Sequence, residues 1–315
     1  MSTRDFSNGA NGADHDGPVG PLVSIIIPYY HYYTQYLAEC LTSVIEQTYT
    51  NWELIVVDDA SANDEGRKIV EGLGDSRISI IRHERNRGQA AARNTGIRAS
   101  HGQFVMPVDC DDKLAPTHLE KLMNALAARP ECNAAYADHS MFSAASGVFH
   151  YPVRDTRALL EEQWIPHPGT LVRRATWERV EGYCESEVFR VGNEDWDYWL
   201  RIAADGLNAV RVPEPSYHHR QHVGSITNSR FWSSDYITRE FMYERHHQMI
   251  DSLGMRRRFL GGGYRVSGQA FWRNGEYWRA AELLLRAAWL CPSDFMKMIV
   301  AKLRRSSGAE ALPGR

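Results

Sequence analysis

The sequence predicts an α/β fold: a mostly parallel central sheet with helices on both faces, plus a small C-terminal helical region. Two observations predict it. Between Leu22 and Asp112, four short apolar, β-branched runs alternate with stretches whose apolar residues recur at helical spacing. Such alternation marks βαβ units. Beyond about Phe231 the pattern becomes helical, rich in Arg, Trp and Leu and broken by Gly and Asn.

The first run, Val23-Ser24-Ile25-Ile26-Ile27-Pro28, reads as a buried strand that proline ends. Tyr36 to Gln47 then places Leu37, Leu41, Val44 and Ile45 on one helical face, and Glu53-Leu54-Ile55-Val56-Val57 is a second strand ending on Asp58-Asp59. The unit repeats with a helix near 65–73, a strand at 78–82, a helix near 88–100, and a strand at 103–108 ending on Asp109-Cys110-Asp111-Asp112. The second half predicts a helix over 116–129, short strands near 133–136 and 169–173, and a helix opening around Asn193. Residues 1–20, rich in Gly, Asn and Asp, are expected to be a disordered tail, residues 21–230 the catalytic domain and residues 231–315 a helical region.

Composition narrows the function. The 315 residues carry a net charge of -3 with acidic and basic residues interspersed, so no broad positive field draws nucleic acid or an anionic membrane, and partners must be argued from local sites. Five scattered cysteines without a CxxC pair argue against a disulfide framework or structural zinc and suit a reducing cytoplasm. The start lacks a basic, then apolar signal, and no apolar run approaches the ~20 residues a membrane span needs.

In a sheet of this kind the ligand crevice lies beyond the carboxyl ends of the strands, where Pro28-Tyr29-Tyr30, Asp58-Asp59 and Asp109-Cys110-Asp111 all fall. No glycine-rich phosphate loop follows the first strand, so a metal ion is expected to handle phosphates. Asp109 and Asp111 are hard oxygen donors suited to Mg2+ or Mn2+, while Asp112 reads either as a further carboxylate or as a helix cap. Asp58 and Asp59 read either as a turn or, beside Tyr30, as the partner of a nucleotide base, uracil fitting best. Arg87 and Arg93 offer cations to phosphate or ribose, or else lie on solvated surface. Glu194-Asp195-Trp196-Asp197 opens a helix with more carboxylates than capping needs. Asp195 is the expected general base and Glu194 a group that holds an acceptor hydroxyl, with Asp197 turned to solvent or an Arg. His219, Arg220, His222 and Ser225 read as a mobile loop closing over a diphosphate, or as a solvated basic loop. His222 is a further candidate metal ligand and His167 a weak acceptor-side candidate.

Taken in order, Ser24-Ile25-Ile26-Ile27-Pro28, Ser43-Val44-Ile45-Glu46-Gln47-Thr48-Tyr49, Val57-Asp58-Asp59-Ala60-Ser61, Ala91-Ala92-Arg93-Asn94-Thr95-Gly96, Asp109-Cys110-Asp111-Asp112 and Glu194-Asp195-Trp196-Asp197 resemble family 2 glycosyltransferases of the GT-A fold. The resemblance spans about Leu22 to Ser225. It implies inverting transfer from a nucleotide-diphosphate sugar, with Asp195 as base, a divalent metal on Asp109 and Asp111, and Asp59 and Tyr30 at the nucleotide base. His31 stands where the family usually has Asn, and His219 where an aromatic commonly precedes Arg-x-His. The acceptor, expected to be a glycan or glycoconjugate, has no matching motif between Cys132 and Ile165. A catalytically inactive sugar-nucleotide or glycan-binding scaffold is the alternative, which the paired carboxylates oppose.

Gly268, Gly275, Ala280, Ala287 and Pro292 resemble a single tetratricopeptide hairpin, expected to pack on the catalytic domain or to form a homodimer. Farther on, Phe295, Met296, Met298, Ile299, Val300 and Leu303 beside Lys297, Lys302, Arg304 and Arg305 suit either ordinary packing or an amphipathic helix making peripheral contact with a membrane.

Overall fold

A computed structural model describes residues 20–144, 146–222, 231–293 and 296. The tail before Gly20, the stretch Val223-Gly224-Ser225 and the basic segment from Lys297 onward lie outside the described residues.

The sheet begins as expected. β1 (Val23–Tyr29), β2 (Trp52–Asp58), β3 (Ile78–Arg82) and β4 (Phe104–Pro107) pair in parallel in the order β3-β2-β1-β4. The intervening helices are α1 (Thr34–Ile45), α2 (Glu65–Gly72) and α3 (Gln89–Ala99). β1 runs through Pro28 because its pairing with β4 ends at Ile26, so nothing beyond needs the N–H that proline lacks. Alternate residues of β1 face opposite layers. Ile25 and Ile27 pack in a core with Leu37, Val70 and Leu122, and Ile26 in a second core with Ala92, Ile97 and Trp199.

The second half is mixed. After β5 (Lys113–Leu114), α4 (His118–Ala128), β6 (Ala134–Ser143), β7 (Gly147–Phe149), α5 (Thr156–Glu161), β8 (Leu171–Arg173), α6 (Arg174–Arg179) and α7 (Glu194–Asp205) comes a long strand, β9 (Ala209–Gln221). β8 runs antiparallel to β4 and β6, β9 parallel to β6 and antiparallel to β5, and β7 edges β6. His219 and Arg220, read from the sequence as part of a mobile loop, therefore lie in the paired end of β9.

The β6–β9 register shifts at Asp138, whose carboxylate takes hydrogen bonds from Arg211 Nε (2.8 Å) and Nη2 (2.6 Å) and from the Tyr151 amide (3.1 Å). Burial opposes its charge, but the bonds from Arg211 and His150 win and lower the carboxyl to about 2. A carboxylate lowered on folding adds stability above its unfolded pKa near 4 and loses it as pH falls toward 2. The Asp138→Asn variant should thus lose about 2 kcal/mol at neutral pH and nearly nothing at pH 2. Parallel wild-type and variant denaturation curves at all pH values would refute this.

Three helices follow: α8 (Phe231–Ser252), α9 (Arg256–Arg273) and α10 (Tyr277–Leu290). α8 and the start of α9 complete the second core, where Met242, Ile250 and Phe259 join Trp196 and Trp199. α9 and α10 form a hairpin in which a side chain at Gly268 would strike Leu284 at 2.8 Å, so the absent Cβ lets the helices close. No described helix is long and apolar enough to cross a membrane.

Candidate active site

The ends of β1, β2 and β4 meet the start of α7 around a cavity of about 510 Å³, whose wall includes Pro28, Tyr30, Asp59, Asp109, Asp111, Glu194 and Asp195. Arg87 and Arg93 also line it. Asp58, Arg220 and His222 are not part of this wall.

At one end of the cavity, the buried Asp59 organises a loop. Its Oδ1 accepts from the Arg87 amide (2.8 Å) and lies 2.7 Å from His83 Nδ1, and its Oδ2 accepts from the Gly88 amide (2.7 Å). Gly88, with φ +87°, supplies the left-handed turn that launches α3. Asp58 follows the turn reading of the sequence: Oδ1 accepts from the Ser61 amide (2.9 Å) and Oδ2 lies 3.5 Å from Arg82. Arg87 meets Glu185 at 2.8 Å.

In the middle, Asp109 Oδ1 accepts from Arg93 (3.1 Å) and Gln89 (3.0 Å). Burial pushes the Asp109 carboxyl up to about 7 against the pull of Arg93, and the charges of Asp112 and Asp111 push the same way. Burial and Asp112 also raise Asp111, whose Oδ2 is 2.8 Å from His222 Nε2. Arg220 donates to the Asp111 carbonyl (2.7 Å) and to Glu39 (2.9 Å). Asp112 caps no helix. Its buried carboxylate accepts from the Arg220 amide (2.7 Å) and the Tyr217 hydroxyl (2.6 Å) and lies 3.1 Å from His219 Nδ1, so it pins the end of β9 beneath the acidic turn. Burial works against the His219 cation, yet Asp112 and the neighbouring carboxylates outweigh it and raise the imidazole.

At the other end, Asn193 takes φ +70° before α7 and anchors its start to α8 through Asp235 (3.1 Å) and Thr238 (2.7 Å). The half-buried Asp195 accepts from Gln163 Nε2 at 3.0 Å and from the Trp196 amide at 2.8 Å. Glu194 is buried against Arg93 Nη1 (2.6 Å). Burial raises its carboxyl, Arg93 opposes, and Asp195 raises it further. Arg93, which the sequence offered to phosphate or ribose, thus spends its fork on Asp109 and Glu194. Asp197 faces two arginines rather than solvent, Arg201 and Arg245 at 3.1 Å, with His246 Nε2 at 2.8 Å. His167 is buried among Tyr183, Tyr198 and Trp199, away from the cavity wall.

Gln163, Gln89 and Glu185 line the cavity although the sequence reading passed over them. Gln89 had a signal in its place at the start of α3; Gln163 lies in a stretch without motif and had none.

This mixed sheet, with acidic strand ends facing one cavity, has the architecture of the GT-A fold. A family profile described as Glycosyl transferase family 2 matches residues 24–169. The chain is 40% identical over 213 residues to the UDP-Glc:alpha-D-GlcNAc-diphosphoundecaprenol beta-1,3-glucosyltransferase WfgD of Escherichia coli, covering 67% of this chain and 81% of that protein. It belongs to glycosyltransferase family 2. To the O-antigen biosynthesis protein RfbC of Myxococcus xanthus it is 31% identical over 206 residues, 64% of this chain, but spans only 16% of that protein's length. S. aureus TarS 1-349 in complex with UDP-GlcNAc shares the fold with a TM-score of 0.60 and 17% identity, over 91% of this chain and 92% of that one. So does the mannosyltransferase PcManGT from Pyrobaculum calidifontis in complex with GDP-Man and Mn2+, with a TM-score of 0.54 and 22% identity over 91% of this chain and 81% of that one.

Proposed function

We propose that the protein transfers a sugar, with inversion, from a UDP-sugar to a hydroxyl of a saccharide or lipid-linked glycoconjugate, on the cytoplasmic side of the cell. The observation that carries the reading is one cavity in which paired carboxylates at Asp109 and Asp111 face a further carboxylate at Asp195. Asp195 takes the proton of the acceptor hydroxyl. The freed oxygen bonds to the anomeric carbon as the bond to the nucleoside diphosphate breaks, and the diphosphate departs with the electron pair. Gln163 fixes one oxygen of that base, and Arg93 sets Glu194 beside it. Tyr30 offers a face for the nucleotide base and Asp59 an acceptor or the rigid loop beneath it.

A divalent ion fits this donor set. Among the described residues no three His, Cys, Asp or Glu side chains are placed to cage a metal alone. Two carboxylates are nevertheless what Mg2+ or Mn2+ takes when substrate phosphates complete its shell. Asp109 and Asp111 would hold it, and it would neutralise charge on the leaving diphosphate. The relative from E. coli, named for a UDP-Glc donor and a diphosphoundecaprenol acceptor, and the UDP-GlcNAc bound to TarS support the donor and acceptor classes. We take residues 21–230 as the catalytic unit and 231–315 as a C-terminal helical region, of which α8 and the start of α9 pack on that unit.

Thermal unfolding in the presence of UDP, GDP, CDP and TDP tests the donor. Saturation at about a hundred times Kd adds about 2.7 kcal/mol, so UDP with Mn2+ should raise Tm by several degrees and UDP with chelator far less. Asp111→Ala should remove the Mn2+-dependent part alone. Absence of any nucleotide shift would sink the proposal, and equal shifts with and without chelator would remove the metal from it.

A further inference from the structure

One face of α10 turns three large apolar side chains to water, with Glu282, paired to Arg286 at 2.8 Å, on the same side of the helix. Trp278, Leu285 and Trp289 are 92%, 71% and 78% exposed. Their spacing of seven and four residues aligns them on one side of the helix, in a stripe about 16 Å long. They do not belong to the packed face, because Ala280, Leu283 and Ala287 point the other way and are buried. The stripe continues past the α9–α10 turn, where exposed Trp272 and Tyr277 meet edge to face at 5.1 Å.

Charge indicates what covers this face. Residues 256–290 hold seven arginines and two glutamates, a balance of +5 within a chain of net charge -3. A second copy would bring the same positive charge to the contact and be repelled, whereas an anionic surface would be drawn in. Tryptophan and arginine together suit the headgroup level of a bilayer, where an aromatic ring is half wet and a cation meets lipid phosphate. The location agrees. Phe231 lines the cavity, the carbonyl of its neighbour Trp232 accepts from Ser267 on α9 (3.0 Å), and Trp272 lies just beyond on the same helix. The aromatic end of the hairpin is therefore the end that reaches the cavity.

We propose that the α9–α10 hairpin docks on an anionic lipid bilayer through Trp278, Leu285 and Trp289 and so holds the cavity at the membrane surface. This goes beyond the transfer reaction and stands whether or not the acceptor is lipid-linked.

Sedimentation of the full chain with vesicles tests it, comparing phosphatidylcholine alone with phosphatidylcholine containing phosphatidylglycerol. The protein should bind the anionic vesicles about tenfold more tightly, and high salt should erase that preference. The triple variant Trp278→Ser, Leu285→Ser, Trp289→Ser should lose about tenfold or more in binding while keeping its Tm and its nucleotide response. Arg273→Glu, a milder change, should weaken binding to anionic vesicles only. Equal sedimentation of wild type and triple variant would overturn the proposal, as would failure of the wild type to bind. A wild-type dimer in light scattering that the triple variant abolishes, without vesicle binding, would assign the face to a second copy instead.

Discussion

Asp195→Asn is expected to lower turnover by roughly a thousandfold, the scale of a lost general base, while nucleotide affinity stays nearly unchanged. The geometry separates the two effects. Asp195 sits at the α7 end of the cavity, held by Gln163 and the Trp196 amide, whereas the groups expected to hold the nucleotide follow β1, β2 and β4. Asparagine keeps the shape and loses the ability to take a proton. Glu194 cannot substitute for it, because its carboxylate is buried against Arg93 at 2.6 Å and serves as a strut. Steady-state rates, together with nucleotide titration of the same variant, decide the matter. Unchanged turnover would take the base away from Asp195, and a parallel loss of nucleotide affinity would mean that the residue shapes the donor site instead.

The N-terminal half of the fold was legible because each of its strands is a short apolar run bounded by polar residues. The long strand β9 was not. Pro213 and Pro215 interrupt its pattern, and proline normally argues against a central strand. The structure absorbs them at the irregularity where the β6 register shifts around Asp138. Missing that strand made His219 and Arg220 read as part of a loop and left Asp112 to be read as a further carboxylate or a cap. Its partners Tyr217 and His219 lie more than a hundred residues away in sequence, and only the β5–β9 pairing brings them close. The acidic positions were readable because they fall at strand ends, which the α/β topology gathers at one edge. Gln163 was not, since what ties it to the site is a hydrogen bond to Asp195 across 32 positions.

Arg93 shows the same limit most plainly, since an arginine early in a helix reads as surface or as a phosphate contact. Here its side chain is only 3% exposed and joins Asp109 at 3.1 Å to Glu194 at 2.6 Å. Burial disfavours the cation, yet the two carboxylates win and raise the guanidinium further. Removing one partner of a buried ion pair costs about 3–5 kcal/mol because the remaining charges stay buried without compensation. Arg93→Met should therefore lower Tm by about 10 °C. Adding Glu194→Gln to that variant should restore part of the loss, since one stranded charge is then gone; no recovery would mean that the single variant acts through packing alone. Arg93→Lys should fail in its own way, because a point ammonium cannot span both carboxylates as a planar fork does. Calorimetry on these proteins, with Glu194→Gln alone completing the cycle, measures the coupling, and an Arg93→Met variant as stable as wild type would refute the bridge. Transfer should fall in Arg93→Met even at temperatures where the fold persists, because the strut between Asp109 and the neighbour of Asp195 is what fixes the middle of the cavity and its α7 end at one separation.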